Sequence, residues 1–488
     1  MEKRLTTMWC SLAIWIFLVA HRVIGKLRML ISSTTPAGLL LKLVCCFSAS
    51  IFLDGVTYAE SSDPEARLRQ HTQEFRREVI EVDDDVYVAV GYGASNSAMV
   101  VGESGLIIID TKESTASAEA VLKEFRKISN TPVSAIIYTH SHRDHISGAK
   151  VFAGNDNPAI YGRAGFTNEL VGGVGVGPIL GKRTQRQFGF SLKPGSELIN
   201  VGIGEKVWAD GLGTGYVPAT VNYTEERYTV TIEGVRIELV AAPGETDDQI
   251  YVWLPEKKVL FCGDNFYRAF PNLYPIRGSR YRDVIKWAHS LEKMRREKPE
   301  HLVPSHTRPL SGASLVDRAL GDYAEAIRYV HDKTVEGMNR GLTPDQLVAS
   351  VTLPENLAAS PYLQEFYGMV PWGVRSVFSG YLGWFDGNPT NLLPLSEPEE
   401  ARRIVALGGG PRKVYNRLKK AMVAEDYQWV MQLADYLITL RYQVDEVTDV
   451  KVKALRALAK QQINAPARNY YLSVAKELRP DPPKILID

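Results

Sequence analysis

Apolar residues recur along this chain at two spacings, and the change between them divides it. From Val86 the spacing is that of strands. Val86–Val90 alternates, and Ser97–Val101 and Leu106–Asp110 read as strands around a Glu103-Ser104-Gly105 turn. Thr115–Ile128 has helical spacing and stops before Asn130-Thr131-Pro132, and Val133–Tyr138 is an apolar, β-branched run that predicts a buried strand. Tyr228–Ile232 with Val235–Ala241, and Ile250–Leu254 with Val259–Cys262, predict two hairpins. A strand, hairpin, helix, strand order is the opening of an αββα sandwich, in which helices cover two packed sheets. After Pro309 the period becomes helical. Leu315–Val335, Pro344–Val351 and Arg412–Leu440 read as helices, and Glu397–Ile438 and Thr448–Leu478 as stacked antiparallel helices with short connections. The fold class expected is α+β, with a mixed domain over 60–312 and an all-α domain over 313–488.

The first sixty residues differ from the rest. Met8–Ala20 and Ala37–Leu53 are apolar runs, both short of the about 20 residues a membrane span needs. Thr57 and Ala59 are small residues suited to signal-peptidase cleavage after Ala59. Residues 1–59 are therefore expected to be a leader, with the protein exported to a periplasm or secreted and no stable span in the mature chain. Ser61–Glu78 is polar and reads as a helix or an arm, and Gly172–Gly181 as a surface or substrate-facing loop. The balance of 57 basic and 56 acidic residues leaves no electrostatic footprint for nucleic acid. Of four cysteines only Cys262 lies beyond the leader, which excludes a disulfide framework there.

Candidate chemistry sits where the Val133–Tyr138 strand ends. Thr139–His145 reads T-H-S-H-R-D-H, so three of the nine histidines fall within it, beside Asp144. Imidazoles and a carboxylate at a strand end suit a divalent metal far better than a core. Further carboxylates and a histidine close apolar strands downstream: Glu245 in Pro243-Gly244-Glu245-Thr246, Asp264 after Val259–Cys262, and His306 after Leu302-Val303. His289, on a predicted helix, and His301, in a predicted loop, read as surface residues.

The H-x-H-x-D-H spacing resembles the metallo-β-lactamase superfamily, and further residues resemble its alkyl sulfatase branch. A glutamate at Glu245, where many superfamily members have histidine, is similar to that branch, whereas Asp264 is the wider superfamily's choice at a place where alkyl sulfatases usually have glutamate. Asn272-Leu273-Tyr274-Pro275-Ile276-Arg277-Gly278 is similar to an N-L-Y-x-x-R-G element of the sulfatases, and Gly383–Pro389 (G-W-F-D-G-N-P) to a signature of their helical dimerisation domain. The resemblance covers most of the chain from about Arg76. It implies a dizinc hydrolase of sulfate esters, most often alkyl sulfates, that acts through a metal-bridging hydroxide and assembles as a homodimer. It assigns His140, His142 and Glu245 to one zinc, Asp144, His145 and His306 to the other, and Asp264 to both. On the same resemblance Asp144 and Asp264 are expected to be the catalytic carboxylates, and Arg277 with Asn272 to bind the small-molecule sulfate ester. A planar guanidinium suits that last role, because it offers paired donors to an oxyanion and stays charged. Two departures leave a lactamase, lactonase or phosphodiesterase on the same scaffold as the alternative: Asp264, and the stretch Met369–Gly373, which carries no histidine where relatives reach the sulfate pocket. Residue types alone do not separate zinc from iron or manganese. Typical relatives also continue into a sterol-carrier-like domain, whereas this sequence ends at Asp488.

Overall fold

The computed structural model describes residues 63–165 and 176–480. The leader 1–59 and residues 172–175 of the glycine-rich stretch lie outside the described residues. Pro64–His71 is a helix capped by Asp63 and leads through Thr72–Phe75 to the first strand.

Thirteen strands form two sheets among the described residues. The first runs β1 (Glu78–Asp83), β2 (Val86–Val90), β3 (Ser97–Val101), β4 (Leu106–Ile109), β5 (Val133–Ile137), β6 (Ala159–Arg163), β7 (Val221–Tyr223), in that spatial order. The second comprises β8 (Arg227–Ile232), β9 (Val235–Ala241), β10 (Ile250–Leu254), β11 (Val259–Gly263), β12 (His301–Pro304) and β13 (Leu310–Ser311), from one edge to the other. Each sheet is antiparallel at its start; the first turns parallel from β4 with β5 onward to β7, and the second holds one parallel pair, β11 with β12.

Alternation along the strands builds three layers of core. Ile107 and Ile109 of β4 face Leu239, Val252 and Phe261 of the opposite sheet. Leu106 and Ile108, pointing the other way, pack under Ala118, Val121 and Phe125 of the Thr115–Phe125 helix. On the far side Tyr251, Trp253 and Leu260 pack beneath Trp287, Leu291 and Met294 of the Val284–Arg296 helix, together with Val316, Leu320 and Tyr323 of the Ala313–Asn339 helix. This is the αββα sandwich. Strands buried on both faces are nearly all apolar, which is why β4 reads Leu-Ile-Ile-Ile.

Two expectations are corrected. Gly177–Gly181 opens a helix, Gly177–Gln187, and is not a loop. Pro178 stands in its first turn, where no amide partner is needed, and Lys182, Arg183, Gln185, Arg186 and Gln187 are long side chains that favour helix. This helix packs on Ala465–Leu478, with Arg186 paired to Glu477 at 2.8 Å. His301 begins β12 and is not in a loop; its Nδ1 lies 2.9 Å from Ser311 Oγ across the β12–β13 pair.

The helical part contains Pro344–Ser350, Val370–Leu382, Glu397–Leu407, Pro411–Val423, Tyr427–Thr439, Val444–Lys460 and Ala465–Leu478, besides the short Glu355–Ala358. The long helical stretch read from Arg412 to Leu440 is two helices. Glu425, at φ +58°, breaks it, and the Asp426 side chain caps the second by accepting from Trp429 N. Among the described residues no helix is long and apolar enough to cross a membrane.

Trp287 joins the outer layer to the strand ends, since its Nε1 donates to the Asn265 carbonyl at 3.0 Å while its ring is wholly buried. Trp287→Ala is expected to cost about 3–5 kcal/mol of stability, read as a lowered denaturation midpoint.

Candidate metal centre

The parallel pairs set the position of the site. Because β4 runs with β5 and β11 with β12, four strands end on the same side of their sheets. Asp110, Thr139-His140, Asp264 and Ser305-His306 follow these ends. The turn after β5 continues into the one-turn helix Arg143–Ile146, with His142 as its N-cap, so Asp144 and His145 are added to the group. Glu245 comes from the turn between β9 and β10. There Gly244 is required, because a Cβ would lie 2.0 Å from Asn265 Oδ1.

All seven residues singled out in the sequence meet in one cluster. Three overlapping groups of close ligand atoms occur: His140, His145 and Asp264; Asp144, His145 and His306; and His142, Glu245 and Asp264. Asp264 is at the centre. Its Oδ2 is 3.5 Å from His140 Nε2 and 3.4 Å from His145 Nε2, and its Oδ1 is 3.3 Å from His306 Nε2. Asp144 Oδ2 lies 3.5 Å from both His145 Nε2 and His306 Nε2. His142 Nδ1 is 3.0 Å from His140 Nε2 and 3.9 Å from Glu245 Oε1. His140 thus stands with His142 on one side and with His145 and Asp264 on the other.

Hydrogen bonds behind the cluster choose which imidazole nitrogen faces it. His306 Nδ1 donates to the Ala94 carbonyl at 2.8 Å, which leaves the lone pair on Nε2. His145 Nδ1 is 2.9 Å from Asp110 Oδ2. Thr139 Oγ1 donates to the same carboxylate at 2.8 Å, so its oxygen accepts from His140 Nδ1 at 3.1 Å. Ser305 Oγ and Thr139 N also donate to Asp110, at 2.7 and 2.9 Å. One buried carboxylate thereby orients two histidines and ties β5 to the turn after β12. Asp110 was absent from the sequence-derived set. Its signal was a carboxylate ending an apolar strand, the same signal that marked Asp264.

The donor set fits divalent metal. Among the described residues His145 Nε2, His306 Nε2 and Asp264 Oδ1 are buried without a hydrogen-bond partner, and unpartnered buried polar atoms are costly. In the metal-free cluster protons take the place of cations. Burial would lower the His145 and His306 pKa values, but Asp264 and Asp144 outweigh it and raise both. Burial would raise Asp264 and Asp144, yet the same imidazoles hold both below the usual carboxylate range. His142 is different. Burial, His140 and the Arg277 and Arg282 charges keep it well below its ordinary value.

The way in lies beside His142 and Asp144, whose side chains are 23% and 28% exposed while the other five are buried. Arg277 is half-buried and acts electrostatically on both His142 and Glu245. Its loop is braced by the Gly177–Gln187 helix: Gln187 Oε1 accepts from Arg277 N at 2.9 Å, and Arg183 Nη2 donates to the Ile276 carbonyl at 2.6 Å. Asn272 is buried; its backbone N–H donates to Tyr267 Oη at 2.8 Å and its backbone carbonyl accepts from Arg282 Nη1 at 2.6 Å. Arg282, also missed in the sequence, is almost wholly buried and pairs with Glu245 Oε1 at 2.9 Å. Burial raises the Glu245 carboxyl, and Arg282 opposes this. No spacing rule marks an arginine five residues beyond Arg277.

Comparison with known proteins agrees with this geometry. Residues 90–306 match the model of the metallo-β-lactamase superfamily, and residues 343–481 match that of alkyl sulfatase dimerisation. A linear primary-alkylsulfatase of Pseudomonas sp. (strain ATCC 19151) is 38% identical over 389 residues, covering 78% of this chain and 73% of that protein. The chain belongs to the alkyl sulfatase branch of the metallo-β-lactamase superfamily. An alkyl/aryl-sulfatase of Saccharomyces cerevisiae is 30% identical, over 90% of this chain and 70% of its own. The solved structure of a stereoselective inverting sec-alkylsulfatase from Pseudomonas sp. superimposes with a TM-score of 0.79 at 28% identity, covering 86% of this chain and 68% of that one. Relatives and scaffold together support a sulfate ester hydrolase.

Metal uptake by this chain is expected to expel protons, because the neighbouring carboxylates raise the His145 and His306 pKa values above their ordinary range. Affinity for a divalent cation therefore falls as pH drops through those raised values and climbs as pH rises past them. Calorimetric titration of metal-stripped protein in buffers of different ionisation enthalpy measures the protons released; a heat independent of buffer would refute the expectation.

Proposed function

We propose that this protein is a dizinc hydrolase of sulfate esters, with alkyl sulfates as the favoured substrates. The observation that carries the reading is the pairing of a seven-residue donor cluster with Arg277, whose charge acts on the cluster's exposed edge, in a chain of the alkyl sulfatase branch. His142, Glu245 and Asp264, with His140, would hold one metal, and Asp144, His145 and His306 the other, with Asp264 between them. When bound, two zinc ions supply Lewis acidity and make a water acidic enough to attack near neutral pH.

The chain's own groups do the remainder. Arg277 binds the sulfate oxygens through a charge-assisted fork, and its braced loop limits the freedom lost on binding. Asn272 would add a neutral donor to the same oxyanion. Arg282 holds Glu245 against the cluster. Asp144, the more exposed of the two catalytic carboxylates, would accept a hydrogen bond from the attacking water at the open edge, while Asp264 would keep the imidazoles on both sides of it in place.

We further propose a homodimer formed through the helical part. Tyr381, Leu382, Trp384, Leu392, Leu393 and Leu395 leave an apolar patch around the Gly383–Pro389 turn, with Trp384 75% and Leu393 91% exposed. Contiguous exposed apolar surface of this kind marks an association face, and the segment lies inside the residues matched by the dimerisation model.

Arg277→Ala is expected to lower kcat/KM on an alkyl sulfate by roughly 2–5 kcal/mol with zinc content unchanged, and Arg277→Lys to restore only part. Turnover is measured on sulfate, phosphate and lactam substrates side by side; unchanged sulfate turnover in Arg277→Ala, or a preference for phosphate or lactam, would overturn the reading. The dimer is tested by sedimentation of Trp384→Glu/Leu393→Glu. The wild-type chain should sediment as a dimer at micromolar concentration and the variant as a monomer; a monomeric wild type would refute the interface.

A further inference from the structure

Next to the cluster is a lysine with no solvent exposure. Lys112 follows β4 by three residues, and its side chain is 0% exposed; its neighbour Glu113 is 1% exposed, with Nζ and Oε2 3.8 Å apart. An ammonium group at such a place is costly unless paired and hydrogen-bonded. Burial pulls the Lys112 pKa down, and Glu113 opposes this first, followed by Asp144 and Asp110. The backbone is constrained as well. Asp110 and Lys112 take φ of +56° and +76°, in the left-handed region that non-glycine residues rarely adopt. Strain of this kind persists where surrounding contacts over-determine it.

Those contacts lead to the metal centre. Lys112 Nζ donates to the Ser95 carbonyl. Glu113 Oε1 accepts from Ala94 N and from Trp208 N, each at 3.1 Å. The fit is close enough to demand glycine at position 93, where a Cβ would lie 2.1 Å from Glu113 Oε1. The loop between β2 and β3 is thus pinned at successive peptides, and the same peptides reach the donors. The Ala94 carbonyl accepts from His306 Nδ1 at 2.8 Å, and Ser95 Oγ donates to the Asp144 carbonyl at 2.5 Å. Asn96 Nδ2 donates to the Pro304 and Thr307 carbonyls, at 3.0 and 2.7 Å, on either side of His306. From the other direction Thr111 N and Oγ1 donate to the His145 carbonyl, at 2.6 and 2.9 Å.

We propose that Lys112, paired with Glu113, is a positioning residue for the Asp144–His145–His306 half of the centre, acting through the loop 93–96 that it holds. The inference rests on the two-metal reading above. The loop's hydrogen bonds set the His306 imidazole and the backbone of Asp144, so releasing it loosens one group of donors and leaves His142 and Glu245 in place. Sequence distance hides this arrangement, since the loop, the ion pair, Asp144 with His145, and His306 come from four separate parts of the chain.

The test is zinc titration of the metal-stripped full chain against a competing chelator, on wild type, Lys112→Met, Lys112→Met/Glu113→Gln and Ser95→Ala, beside thermal unfolding of each. In Lys112→Met one zinc equivalent should bind about ten- to a hundredfold more weakly, the usual effect of losing a partner that orients ligands, with the other unchanged. The double variant removes the stranded carboxylate, so it should regain melting temperature without regaining that affinity. Ser95→Ala keeps the ion pair and should show the same selective weakening to a smaller extent, which covers the case of a Lys112→Met chain that does not fold. Wild-type affinity for both equivalents in folded Lys112→Met or in Ser95→Ala overturns the proposal, as does equal weakening of both. A wild-type chain that takes up no zinc refutes the two-metal reading itself, and is told apart by that control.

Discussion

The arrangement depends first on the Asp110 carboxylate. It accepts from Thr139 N, Thr139 Oγ1, Ser305 Oγ and His145 Nδ1, all within 2.9 Å. Four donors from two sheets converge on one buried side chain, so the facing sheets are registered at the point where their strands end. The same bonds decide that His145 and His140 present Nε2 to the centre. Without a fixed acceptor behind them, imidazoles can turn or change tautomer, and a donor cluster becomes a set of polar side chains competing for protons.

Charge balance is the second constraint. Asp144, Asp264 and Glu245 sit among four imidazoles and the Arg282 guanidinium, mostly out of contact with water. Such a group is stable only when each carboxylate faces a cation or a donor. Arg282 serves Glu245, the raised imidazoles serve Asp144 and Asp264, and the Lys112–Glu113 pair underpins the loop beside His306. The cluster is open at the edge where His142 and Asp144 are partly exposed, and the Arg277 charge acts on that edge.

The helical part contributes to the catalytic half besides offering an apolar patch. Asn464 Nδ2 donates to the Tyr367 carbonyl at 2.8 Å, and Tyr367 packs edge-on to Tyr267, whose hydroxyl holds the Asn272 amide. The Ala465–Leu478 helix supports Gly177–Gln187, which in turn braces the loop of Arg277. A change in the helices therefore has a covalently distant but mechanically short route to the loop of Arg277.

Read alone, the chain disclosed most strands, the long helices and the αββα order, because strand and helical periods are local signals, and together with the family resemblance it named the seven residues that cluster at the strand ends. Leu106–Ile109 and Val133–Ile137 are nearly all apolar because both faces are covered, and that needs no knowledge of what covers them. His140, His142, Asp144 and His145 declare themselves by spacing. What escaped was set by partners distant in sequence. Strands β6 and β7 are short and exist through pairing along the sheet edge. The Gly177–Gln187 helix is stabilised by packing on residues almost three hundred positions later. Lys112 and Arg282 look like ordinary surface charges in one dimension, and folding turns them into buried ones. A buried charge acquires its role from the group that neutralises it, and the identity of that group is decided only when the strand ends meet.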